Sequence, residues 1–495
     1  MARGRGGEKT TGRPKDKPTA QRERQIVNVL VCGATGFIGS AICAQLEREG
    51  HRVIRASRSR PQPGAGAAVE AHAPSDGPKT HGCWIECDFS KGESAAQWGS
   101  RLRELNGRLA GFCEPKSGAG CIGQSSGRLD AVVNAAGIFS ERDGQTFSAI
   151  HAKGPLALFE ACAATGVRRI LLVSALGCAD GPGACLESKR RAEIGLGELQ
   201  IESQIIRPSL TQGSGGESSR LFLAWASAPV ALLPGGGRQP VRPVDVEDLA
   251  DLAVRMLDPK IPAGQTIDAV GAEQMSLRSM LGALRREMGF APALAISVPE
   301  AAMGPLSAIW GLAMRAAGRS GRGLGLWSRD SWAMLSASKA ASEKEMADIL
   351  GRQPKAIGFG SQAAAERARQ EALAAWRAPL LRISLAMVWL WTAWVSAFVW
   401  PQGQSLALLG ALGIKGGWAF AALYGASALD FLFGCATLAR PGRRLWLAQM
   451  GLIAGYSAAI AIALPEYLWH PFGPLSKNIP ILAILWILLS EEKKP

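Results

Sequence analysis

Three glycines, Gly33, Gly36 and Gly39, are spaced for one kind of chemistry: holding a chain of phosphates with the backbone. They lie in the run Gly33-Ala34-Thr35-Gly36-Phe37-Ile38-Gly39. The first glycine permits a tight turn. The second lets the backbone approach a pyrophosphate, and the third lets the following helix pack on the preceding strand. The N–H groups at that helix's start would face the anion. The flanking sequence supports this use. Residues 26–32 are a β-branched apolar run of the buried parallel-strand type, an amphipathic helical pattern follows, and Gly50-His51 turns into a second strand over residues 52–56. The alternative is a purely structural glycine turn.

The end of the second strand selects the dinucleotide. A carboxylate there would bind the ribose 2′-hydroxyl of NAD, whereas an arginine accommodates the 2′-phosphate of NADP. The sequence reads Arg55-Ala56-Ser57-Arg58-Ser59-Arg60, with no acid. Ser57 and Arg58 therefore favour NADP(H) over NAD(H). A solvated basic loop is the alternative.

The elements that must position these groups follow in order. Further strands are expected over residues 83–87, 131–134, 169–174 and 203–207, with helices between them, as over 155–164. Strands alternating with helices predict an α/β fold with a doubly wound parallel Rossmann sheet. Two Gly/Pro/Ser-rich stretches, residues 61–80 and 112–127, are expected as loop insertions. His151 reads as a helix-surface histidine.

The chain has 495 residues, with 55 Lys and Arg against 41 Asp and Glu, a net charge of +14. That length calls for more than one domain. A hydrophobic share of 47% excludes wholesale disorder. The 10 cysteines form no CxxC pair and no Cys/His cluster, which excludes a disulfide scaffold and a zinc site, so no metal is expected. Residues 1–24 are basic and polar without an apolar core, unlike a secretory signal. They read as a disordered tail or as a segment drawn to anionic lipid. No aromatic residue accompanies that charge, so nucleic acid is not expected as a partner.

From about residue 380 the composition becomes apolar. Runs at 381–400, 417–439 and 445–464 reach the roughly 20 residues needed to cross a bilayer, and a shorter run at 479–490 is a fourth candidate. A C-terminal all-α four-helix transmembrane bundle is the expectation, with the lipid bilayer as partner. Arg377, Arg382, Arg440, Arg443, Arg444, Lys493 and Lys494 fall on one side, Lys415 and Lys477 on the other. The positive-inside rule then places both termini and the nucleotide-binding part in the cytoplasm, at the inner membrane. Asp430 lies mid-span, where an ionisable group should face a partner, with Gln449, Tyr456 and Lys477 as candidates. It reads equally as a ligand or proton site and as an interhelical clamp. The expected divisions are 1–24 tail, 25–299 nucleotide-binding domain, 300–377 helical lid and connector, and 378–495 membrane domain. Within the third, residues 300–339 carry Trp and Met at helical spacing. They read as a cover over the cleft, a surface-lying helix or ordinary core.

The motifs Gly33–Gly39, Asp88, Asn134-Ala135-Ala136-Gly137, Leu171-Leu-Val-Ser174, Glu187-Ser-Lys189, Ile205-Ile-Arg-Pro208 and Pro243-Val-Asp-Val-Glu-Asp-Leu together resemble the short-chain dehydrogenase/reductase superfamily. The likeness is to its extended or atypical members, including the accessory subunit of respiratory complex I. The C-terminal runs resemble the DoxX-like membrane family. The first resemblance implies that Asp88 contacts the adenine amino group and that Asn134–Gly137 line the ribose. It further implies Ser174 at the substrate carbonyl, Lys189 on the nicotinamide ribose and Pro208 beside the nicotinamide. Thr35, Gly36, Phe37 and Ile38 belong to the phosphate loop.

One departure matters. That superfamily's proton donor is a tyrosine four residues before the lysine, and here the position is Cys185. The chain's 3 tyrosines are Tyr424, Tyr456 and Tyr467, all in the apolar C-terminal part. Three outcomes stay open. Cys185 could replace the acid, since a thiol beside an ammonium is more acidic. Another donor, water or Asp245, could serve. Or the domain binds nucleotide without turnover. The expected function is a membrane-anchored NADP(H)-binding oxidoreductase-like protein acting on a small apolar carbonyl or quinone. Its rival is a catalytically inactive redox sensor or assembly module with a membrane-protein partner.

Overall fold

The computed structural model describes residues 27–60, 83–111, 127–141, 144–213, 215–299, 302, 305, 341–469 and 475–492. The tail, the two insertions and the 300–339 stretch lie wholly or almost wholly outside the described residues.

Strands β1 (Asn28–Cys32), β2 (Arg52–Ser57), β3 (Cys83–Glu86), β4 (Ala131–Asn134), β5 (Arg169–Val173), β6 (Glu202–Pro208) and β7 (Thr266–Ala269) form one parallel sheet in the order β7-β6-β5-β4-β1-β2-β3. Helices α1 (Phe37–Arg48), α2 (Ala95–Gly111), α3 (Gly154–Thr165), α4 (Ala184–Gly197), α5 (Glu217–Ser227), α6 (Val246–Met256) and α7 (Leu277–Glu287) complete this part. The unbroken apolar run of β1 has a direct cause. Val29 and Val31 enter the core shared with α1 and α6, while Leu30 and Cys32 enter the opposite core shared with α2 and α3. A strand buried on both faces cannot alternate with polar residues. The strand order reverses between β1 and β4, so the crevice lies beyond their carboxyl ends.

A smaller unit packs beside the sheet. Strand Val230–Pro234 pairs in parallel with Leu294–Val298. One side of that ribbon joins α5 and α7 in a core with Phe222, Leu233, Met280 and Leu284.

The C-terminal part holds α8 (Lys344–Leu350), α9 (Gln362–Trp394), α10 (Gln402–Ala411), α11 (Gly417–Ala439), α12 (Arg443–Ala463) and α13 (Asn478–Glu491). Two expectations are corrected here. The first apolar run belongs to a helix that begins at Gln362, well before residue 381, and continues as a π turn to Val399. Its 33 residues span about 50 Å, enough to serve both the small unit and a bilayer. Ala368 and Ala372 pack into the core with α5 and α7, so the connector and the first span are one rod. The second concerns the fourth span: the four expected helices are present and share one core, but among the described residues three are long and apolar enough to cross a membrane, whereas α13, with 14 residues, reaches roughly 21 Å.

Polar groups in the bundle are mostly satisfied. Trp389 Nε1 donates to Gln449 Oε1 (2.9 Å), and Gln449 Nε2 donates to Thr437 Oγ1 (2.9 Å). Arg382 donates to the carbonyls of Thr437 and Leu438 at the end of α11. Asp430 sits on the same buried stripe of α11 and is 7% exposed. Among the described residues it makes no hydrogen bond and no ion pair, and Oδ1 is buried without a partner. None of Gln449, Tyr456 and Lys477 bonds to it, so the clamp reading loses its second half.

Candidate nucleotide-binding site

The glycine loop is built by close approach. Gly33 has φ +75°, and a Cβ there would lie 2.8 Å from Ala135 O and Ala136 N. A Cβ on Gly39 would lie 2.2 Å from Gly33 O. Gly36 N–H donates to Gly33 O (2.8 Å), which closes the turn. Gly36 is also the N-cap of α1 and supplies no side-chain acceptor. The first-turn amides of α1 therefore lack a side-chain cap, and Thr35 and Gly36 are exposed beside them. This is the arrangement a pyrophosphate requires, so the residues fit a dinucleotide. Phe37 packs against Gly213 and Gly216, where added Cβ atoms would meet its ring at 3.1 and 2.8 Å. Ile38 packs on the sheet core.

At the far end of β2, Ser57 is buried and fully engaged. Its Oγ donates to Ser59 O (2.8 Å) and accepts from Trp84 Nε1 (2.9 Å). Arg55 forms a fork with Glu47 (2.6 and 3.0 Å). Arg58 remains exposed and makes no hydrogen bond or ion pair among the described residues. With the exposed Arg60, it is a cation of this loop available to a ligand. Asp88 caps a short turn, accepting from Ser90 N (3.0 Å) and Ser90 Oγ (2.6 Å) through Oδ1. Ser57 pairs in register with Glu86, so Arg58 and Asp88 share one end of the crevice.

The other end gathers the remaining residues. Asn134 is buried and accepts from Ala136 N through Oδ1 (3.2 Å). Lys189 Nζ donates to Val173 O (3.3 Å) and Ser174 O (3.2 Å), which fixes the ammonium at the carboxyl end of β5. Gly137 lies against it, since a Cβ there would be 3.8 Å from Nζ. Ser174 N donates to Ile206 O (2.7 Å), and Leu176 N donates to Pro208 O (2.9 Å). These bonds bring Pro208 to the loop that follows β5.

His151 corrects the surface reading. It is 3% exposed. Its Nε2 accepts from Ile138 N (3.0 Å), and its Nδ1 meets Ser188 Oγ (3.0 Å). Ser188 Oγ itself donates to Cys185 O (2.7 Å), so it accepts from His151. The ring is thereby fixed as the neutral tautomer with hydrogen on Nδ1. Burial, and then the nearby Lys189 ammonium, push its pKa down to about 2. A sequence signal existed: Phe147, four residues before His151, and Gly154, three after it, share helical spacing with it and mark the inward face.

Family comparisons match two stretches of the chain. Residues 29–193 match the NAD dependent epimerase/dehydratase family, and residues 386–486 match the DoxX-like family. The chain joins an epimerase-type nucleotide-binding domain to a DoxX-like one. No curated protein matches it. Solved structures that align with it include three from bacteria. Pal from Bacillus thuringiensis shows 16% identity, covering 70% of this chain and 99% of that one, with a TM-score of 0.46. The Bordetella bronchiseptica enzyme WbmG in complex with NAD shows 13%, 71% and 96%, with 0.48. The NADPH-dependent quinone oxidoreductase QOR2 from Escherichia coli, complexed with NADPH, shows 17%, 69% and 99%, with 0.47.

Position 185, where the resemblance implies a proton donor, is sterically enclosed. Cys185 is 2% exposed, on the first turn of α4. Cys178 is buried nearby, accepting from Ser174 Oγ (3.3 Å), and burial pushes its thiol up. Asp245 caps α6, accepting from Glu247 N (2.8 Å), and stands 3.6 Å from Lys355. Burial raises its carboxyl against the pull of Lys355. Asp245 thus has two structural partners of its own. Glu193, also buried, forks onto Arg207 (3.1 and 2.5 Å) and ties α4 to β6.

Proposed function

We propose that the protein binds NADP(H) between the Gly33–Gly39 loop and Lys189, at the cytoplasmic face of a membrane, and passes reducing equivalents to a quinone-class acceptor. The observation that carries this is an ammonium fixed at the carboxyl end of β5 with no tyrosine beside it. Bound nicotinamide would supply hydride. A simple ketone that gains hydride becomes an alkoxide, a strong base that needs a positioned acid in the transition state. A quinone that gains hydride becomes a hydroquinone anion, a much weaker base, which the Lys189 charge can stabilise and water can protonate afterwards. The missing tyrosine is therefore tolerable for the second acceptor and costly for the first. Arg58, exposed and unpaired, is the group offered to a 2′-phosphate. The arginines around residues 377–382 and 440–444 support the cytoplasmic orientation.

The test is NADPH oxidation by the full-length protein in phospholipid vesicles, with a short-chain quinone and with an aliphatic ketone. Turnover of the quinone alone supports the proposal, and turnover of the ketone alone contradicts it. The burial of Cys185 favours a second reading, a nucleotide-binding sensor or assembly module that acts on a membrane partner without turnover. Tight NADPH binding with no acceptor reduced would select it.

A further inference from the structure

The small ribbon beside α5 leaves an apolar face open. Val230 (42% exposed) pairs with Leu294 (65%), and Leu232 (41%) pairs with Ile296 (44%). The opposite face, with Ala231 and Leu233, is buried in the core. Paired parallel strands are ordinarily covered on both faces, so four exposed aliphatics in two register pairs call for an occupant.

The ribbon's position says which occupant. Arg220 of α5 pairs with Glu371 of α9 (2.5 Å), and further along Trp376 Nε1 donates to Ala224 O (2.9 Å) and Ser227 Oγ (3.1 Å). Hence α5 runs alongside α9 in the same direction, toward the membrane-crossing half. Leu380, 62% exposed, follows Trp376 by about 6 Å of helix. Two residues, Ala228 and Pro229, separate the end of α5 from the start of the ribbon. Arg285 anchors that junction by donating to Ala226 O and Ala228 O (both 2.7 Å), and Leu294 N donates to Pro229 O (2.9 Å). At the other end, Gly236 and Gly237, with φ +72° and +71°, bend the chain beside Arg238 and Arg278. These exposed arginines make no ion pair among the described residues. With Ser276 and Ser297 they line an open cavity of about 420 Å³.

We propose that this ribbon docks on the surface of the bilayer that α9 enters. Val230, Leu232, Leu294 and Ile296 then sit at the boundary of head groups and acyl chains, and Arg238 and Arg278 lie among lipid phosphates. The inference rests on the membrane reading and adds a second, non-spanning attachment. It holds the nucleotide domain against the surface from which an apolar acceptor would arrive.

The test is photo-crosslinking of the full-length protein in vesicles containing phosphatidylglycerol. Benzoylphenylalanine is placed singly at Leu294, at Ile296, at Leu432 on the exposed face of α11, and at Ile194 on exposed α4. Lipid adducts at 294 and 296 within about threefold of those at 432, and at least tenfold above those at 194, are expected. Arg238→Glu with Arg278→Glu should lower the yield at 294 severalfold and leave 432 unchanged. Peptide adducts from 294 to the chain's own residues 306–340, or no adduct there while 432 still takes lipid, would overturn the docking alone. Absence of lipid adducts at 432 as well would overturn the membrane reading beneath it.

Discussion

Replacing Gly39 by alanine tests the phosphate loop without touching a charged group. The added Cβ would lie 2.2 Å from Gly33 O and 2.8 Å from Gly33 C. Ordinary contacts need over 3 Å, so the start of α1 must retreat by about 1 Å. Both clashing atoms are backbone, and no side-chain rotation relieves them. Overpacking of this kind costs about 1–3 kcal/mol of stability. The retreat also draws the α1 amides from the phosphates. Losing one hydrogen bond to a charged group, about 1.5–3 kcal/mol, weakens binding roughly 10- to 100-fold. Gly50→Ala is the matched control, since Gly50 has φ +84° and nothing within 4 Å of a Cβ. It should cost about 1 kcal/mol of stability through backbone strain and leave affinity unchanged. Calorimetric titration with NADPH, alongside thermal unfolding, reads both. If Gly39→Ala binds within twofold of the parent, or if Gly50→Ala loses as much affinity, the pyrophosphate is not held by this loop.

Further outcomes follow from the same geometry. Arg58→Ala should weaken NADPH binding about tenfold or more and leave NADH unchanged, because only the 2′-phosphate reaches that side chain; equal losses for both nucleotides would remove its selective role. Lys189→Met should lower quinone turnover by about 10²-fold or more, while Cys185→Ser changes it little; the reverse pattern would make the thiol the acid. His151, depressed to about pKa 2 in the folded chain against 6.5 unfolded, makes the unfolded state the better proton binder between those values. Stability should thus fall as pH drops below about 6.5, by up to about 1.4 kcal/mol per pH unit, and His151→Asn should flatten that slope. Asp430→Leu removes a buried carboxyl without a partner and should raise unfolding stability by about 1–3 kcal/mol; a loss would reveal a stabilising partner.

Much of the nucleotide domain is readable from its sequence because each strand is a short β-branched run between turn residues. The expected strand at 131–134 is found unchanged, and the helix expected over 155–164 extends by one residue at each end. The start of α9 was not readable. Residues 362–377 are rich in Ala, Glu and Arg, and nothing local distinguishes them from a surface helix, although they continue into the apolar run without a break. The engagement of Ser57 by Trp84 and the burial of His151 under Ser188 are tertiary facts. They join residues 27 and 37 positions apart, a separation at which spacing rules carry no information. The shortness of α13 was visible in the apolar count, and its place in the bundle depended on packing with α12.

The most direct measurement is a calorimetric titration of the full-length protein in detergent with NADPH and with NADH, since severing the chain near residue 376 would cut through α9 and its contacts with α5. Binding of NADPH at least tenfold tighter than NADH is expected from an open α1 N-terminus and an unpaired Arg58. Failure of both nucleotides to bind would contradict the assignment of the Gly33–Gly39 loop and, with it, every functional role drawn from this site.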